Sequence, residues 1–152
     1  MPDRPLTPEQ VLTMLAATPP RLVALTDGLA PEALRARPAP EEWSATEVLA
    51  HLRACADVWG GCIATILAED RPMLRAVNPR TWIERTDYPE LAFGPSLRAF
   101  TAQRAGLLAA LESLPPAGKP LERTVLSYAR RLARHERPHV KQIERIVNVM
   151  RP

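Results

Sequence analysis

Four stretches of this chain place apolar residues three or four positions apart, the spacing that gives a helix one buried face. The first opens at Thr7-Pro8-Glu9-Gln10, where Thr7 can cap, Pro8 suits the first helical position and Gln10 completes a capping box. Val11, Leu12, Leu15, Leu22, Val23 and Leu25 follow. Thr18-Pro19-Pro20 within that run predicts a kink or break, because proline removes helix donors and clashes with the preceding turn. The pattern stops near Asp27-Gly28, and Pro31 to Pro40 reads as a proline-spaced connection with one helical turn at 31–35.

The second stretch has the clearest start. Ser44-Ala45-Thr46-Glu47 is a capping box and Trp43 can staple the entry. Its stripe is Val48, Leu52, Cys55, Trp59, Cys62 and Ile66, with His51 at the edge, ending around Glu69. Residues 70–93 form a long connection, in which Asn78-Pro79 followed by Arg80-Thr81-Trp82-Ile83 predicts a capped short helix. The third long helix starts near Pro95-Ser96; Leu97, Phe100, Leu107, Leu108, Leu111 and Leu114 line its apolar face, with Arg104 in the same stripe. Pro115-Pro116 ends it. The fourth runs from about Leu121 to Met150, along Val125, Tyr128, Leu132, His135, His139, Ile143, Ile146 and Met150. Strand signals are nearly absent. Four long amphipathic helices predict an all-α fold, a four-helix bundle, as a single domain over 1–152.

Composition narrows the class without changing that picture. With 46% apolar and 24% charged residues, the chain is an ordinary globular one. Its net charge of +3 does not by itself call for nucleic acid or an anionic membrane. No apolar run is long enough to span a bilayer, and Met1-Pro2-Asp3-Arg4-Pro5 lacks the apolar core of a signal peptide. Cys55 and Cys62 are seven residues apart on one predicted helix, about 10 Å along its axis and too far for a disulfide. A cytoplasmic location with reduced thiols is the expectation. Arg130, Arg134, Lys141 and Arg145 line the polar side of the fourth helix; Glu144 interrupts them and no aromatic residues accompany them, so they read as a solvated face.

The candidate chemistry lies in the three histidines. His135 and His139 share a helix face at i, i+4 and sit inward in the apolar stripe, so two imidazoles could chelate one ion. His51 on a facing helix could complete a triangular set that leaves positions open for water or substrate. Spacing alone leaves a second reading, in which each histidine is a hydrogen-bonded core residue. Cys55, one turn after His51, could add a softer donor or be redox-sensitive, but Val48, Leu52 and Trp59 around it favour a core role. Glu47 is explained by the capping box, Glu136 by solvent, and Arg104 by a stripe edge that extends its head to water. Asn78, Arg80 and Trp82 lie where the long connection could cover a metal site.

Two segments then carry a family resemblance. Trp43-Ser44-Ala45-Thr46-Glu47-Val48-Leu49-Ala50-His51-Leu52 and His135-Glu136-Arg137-Pro138-His139-Val140-Lys141-Gln142-Ile143 resemble the W-S-x-x-E-x-x-x-H-L and H-x-x-x-H-x-x-Q-I motifs of the DinB/YfiT-like family. The resemblance implies an up-down-down-up four-helix bundle, a divalent metal on His51, His135 and His139, and a homodimer; zinc and nickel both suit imidazole ligands. Two features depart from the pattern. Pro138 stands between two of the ligands, and the Pro115–Pro120 link is shorter than the family's, which often carries an aromatic residue. Some relatives transfer a low-molecular-weight thiol such as bacillithiol, mycothiol or glutathione to an electrophile. A metal-dependent thiol transferase is therefore the first functional expectation. A non-catalytic dimeric stress-response or binding module, with a structural or vestigial metal site, is the second. Neither involves nucleic acid or a membrane.

Overall fold

The computed structural model describes residues 4–69, 73–74, 77–113 and 120–152, with side chains of the last segment from 124 onward. Its elements are α1 (Pro8–Thr26), α2 (Pro31–Arg35), α3 (Ala45–Ala68), α4 (Pro79–Ile83), a 3-10 turn (Tyr88–Glu90), α5 (Phe93–Glu112) and α6 (Pro120–Met150). No strand occurs among the described residues. The link between the last two long helices, with Leu114, lies outside them.

The local signals act as their chemistry demands. Thr7 and Ser44 each accept a backbone N–H three residues on, while Gln10 and Glu47 return the bond to the cap residue. Gly28 closes α1 at φ 78°, a conformation glycine adopts without penalty. Asn78 caps α4, with Pro79 at its first position. α5 begins two residues before the expected Pro95, because a proline in the first turn removes an N–H that had no partner anyway.

α1 corrects a sequence expectation. It runs unbroken through Pro19 and Pro20. A proline at 19 removes the donor that would bond the Leu15 carbonyl, and that carbonyl instead accepts from Arg104 Nη1 of α5 at 3.0 Å. A tertiary contact therefore replaces the missing helical bond at the position where a break was expected.

Side-chain pairs fix the helix directions. Leu6 with Arg130, Thr18 with Glu136 and Leu25 with Arg151 run in step, so α1 and α6 are parallel. Arg53 with Ser96 and Asp57 with Gln103 make α3 and α5 parallel too. α3 and α6 are antiparallel, since Trp59 meets His135 while His51 reaches on to His139. The order is up-down-down-up. α1 and α3 each pack on α5 and α6, so the first two long helices stand on a diagonal. A parallel α3–α5 pair needs a long return, which residues 69–92 supply.

The core forms two apolar clusters. One gathers Leu22, Leu49, Leu52, Phe100, Ile143 and Ile146; the other gathers Val11, Leu15, Ile63, Ile66, Val125 and Leu132. Each such fully buried side chain contributes about 1.5–3 kcal/mol. Between the clusters lies a polar layer. Arg104 and Glu136, each 2% exposed, form a buried ion pair with Arg104 Nη1 2.7 Å from Glu136 Oε1, and Thr18 Oγ1 donates to that oxygen at 2.9 Å. Both charged residues correct the sequence reading, which placed them at the surface.

Candidate metal centre

His51 leaves α3 two turns after the Ser44 cap, on the side facing α6. His135 and His139 leave α6 one turn apart, on the side facing α3. Their Nε2 atoms converge: His51 to His135 is 3.0 Å, and His135 to His139 is 3.2 Å. Trp43 presents to the His51 ring and Trp59 to the His135 ring, both in edge geometry, at centroid distances of 5.5 and 5.0 Å. Pro138 does not break α6; the carbonyl deprived of its donor belongs to Arg134, an exposed residue that water can serve.

Hydrogen bonds alone do not satisfy this group. Gln142 Oε1 accepts from His139 Nδ1 at 2.9 Å, which leaves His139 Nε2 as a lone pair. If His135 Nε2 carries the proton between its two neighbours, His135 Nδ1 becomes a buried acceptor without a partner, and it is the one orphaned buried side-chain atom among the described residues. A cation would take all three Nε2 lone pairs at once, with the His135 proton then on Nδ1, which has no partner among the described residues. Ligand atoms about 2.0–2.1 Å from one tetrahedral ion lie about 3.4 Å from each other, close to the separations seen here. The residues present fit such a group.

The electrostatics point the same way. Burial, then the charge of His139, then that of Arg80, lower the His51 pKa to about 4. Burial, His139 and His51 lower that of His135 to about 4. Both rings are therefore neutral near pH 7, the state in which imidazole donates to a metal. Cys55 joins the group: it is 1% exposed, and its Sγ lies 3.7 Å from His51 Nε2 and 3.8 Å from His135 Nε2. Burial, with Glu136 second, pushes its thiol up to about 12, so it is protonated in the metal-free protein.

Trp82 and Tyr88 of the long connection turn to Asp57 and not to the histidines. Trp82 Nε1, Tyr88 Oη and Gln103 Nε2 all donate to Asp57, on a different face of α3, and strap the connection there. Among its described residues, Arg80 brings its charge near His51. Glu47 is committed to its cap, as expected, and pairs as well with Arg37. Sequence reasoning met Gln142 in the family motif without giving it a role, although its position three residues after His139 puts it on the same face, and it missed Asp57, for which no local signal exists.

A four-helix bundle with histidines from two antiparallel helices meeting at one point has the arrangement from which helical bundles build metal sites. More narrowly, the chain belongs to the DinB superfamily, whose model matches residues 14–143. Among solved structures it resembles YfiT from Bacillus subtilis, described as a probable metal-dependent hydrolase with an unusual four-helix bundle topology. The TM-score is 0.68 over 95% of this chain and 91% of that one, at 18% identity, a likeness of fold. No curated protein matches the chain. No helix among the described residues is long and apolar enough to cross a membrane.

Proposed function

We propose that His51, His135 and His139 hold a divalent ion, zinc or nickel, and that the protein uses it to transfer a low-molecular-weight thiol to an electrophile. The observation that carries this reading is the convergence of three Nε2 atoms from two facing helices, that of His135 lying 3.0 and 3.2 Å from those of His51 and His139. A divalent ion held by these histidines would supply Lewis acidity, the chemistry that lowers a thiol's pKa. The protein's own residues orient the rings. Gln142 fixes the His139 tautomer, and Trp43 and Trp59 wall His51 and His135. Three protein donors leave positions for an incoming ligand.

The test uses protein purified without a nickel column, loaded with zinc, and given bacillithiol, mycothiol or glutathione with an aryl halide. Metal-dependent thiol consumption is expected. Ester hydrolysis without thiol consumption would instead favour the hydrolase chemistry attributed to YfiT.

A second reading, a non-catalytic dimeric module with a structural metal, is favoured by Cys55, because a fourth donor closes a tetrahedral site. Homodimerisation is proposed in either case on the family likeness. Sedimentation at micromolar concentration should give twice the chain mass; a monomer would remove the assembly proposal alone.

A further inference from the structure

We propose that Cys55 Sγ is a ligand of the ion that His51 and His135 hold. The inference rests on the metal reading above and not on thiol transfer. Cys55 stands four residues after His51 and so shares its side of α3. Its sulfur is nearly equidistant, at 3.7 and 3.8 Å, from the Nε2 atoms of His51 on its own helix and His135 on the facing one. Imidazole nitrogen at about 2.1 Å and thiolate sulfur at about 2.3 Å from one tetrahedral ion are about 3.6 Å apart. The ligand atoms of His51, Cys55 and His135 all lie within 4.8 Å of one another. Cys62, further along the same helix, lies near Tyr128 instead.

Coordination breaks the S–H bond, forms a sulfur–metal bond and sends the proton to solvent; no electron changes hands. A thiolate donor turns an all-imidazole site into a mixed one that favours thiophilic ions such as zinc, cadmium and cobalt. It also places a protein sulfur where an exogenous thiol would bind, so such a thiol must displace Cys55 or raise the coordination number.

Cobalt(II) added to reduced, tag-free protein tests this. The expected result is a strong near-ultraviolet thiolate-to-cobalt charge-transfer band, retained in Cys62→Ser and lost in Cys55→Ser while cobalt still binds. Zinc affinity of Cys55→Ala, measured by chelator competition, should fall by more than the roughly 10-fold that losing an outer-shell partner costs. X-ray absorption of the zinc-loaded wild type needs no variant and should find a sulfur scatterer at about 2.3 Å. Cobalt binding without the band, or a shell of nitrogen and oxygen only, overturns the Cys55 assignment and leaves the three-histidine reading intact. No cobalt uptake overturns both.

Discussion

Glu136 follows His135 in sequence but is turned about 100° from it around the helix, which points it away from α3 and towards α1 and α5. There it meets Arg104 and Thr18 in the layer between the two apolar clusters. Removing one partner of a buried ion pair strands the other charge. Glu136→Leu or Arg104→Leu alone should therefore cost about 3–5 kcal/mol in denaturant unfolding, while the double variant recovers most of it. Equal losses in single and double variants would contradict that coupling. Neither burial was legible in the sequence: a Glu between His and Arg looks solvated, and its partner lies 32 positions away. The three histidines were legible because their i, i+4 spacing and inward register are local properties. Cys55 was legible as a neighbour of His51, but its closeness to His135 depends on how α3 meets α6.

At the scale of elements, capping boxes and proline placement marked where helices begin, because those bonds close within one turn. They could not mark where a helix survives a proline. α1 does so because Arg104 serves the carbonyl that Pro19 orphans. In the Arg104→Leu background, Pro19→Ala restores the helical donor and should return about 1 kcal/mol of the lost stability, one buried hydrogen bond. No gain in the unfolding midpoint would mean that water, not the helix, serves Leu15 in that variant. The parallel pairing of α1 with α6 was likewise outside the reach of periodicity, which gives faces and not neighbours; the family resemblance supplied it.

For the whole molecule, the metal centre couples folding to pH. In the metal-free protein His51 and His135 titrate near 4, against 6.5 when unfolded. Between those values the unfolded chain binds more protons, so stability falls as pH drops from about 6.5 to about 4, and these two groups add no slope above or below that window. Unfolding midpoints across the window should show the fall, and a His51→Ala, His135→Ala double variant should flatten it. A wild-type profile already flat there would contradict the burial of neutral rings. A bound divalent ion should shift the fall to lower pH, since protons must then displace it.

Elemental analysis of tag-free protein that has never met nickel, dialysed against zinc, tests the central claim most directly. The account predicts about one ion per chain in the wild type. It predicts loss of most of that ion in His51→Ala, His135→Ala and His139→Ala, each keeping its helical circular dichroism. Zinc-free wild-type protein, or full occupancy in the His135→Ala variant, would contradict it.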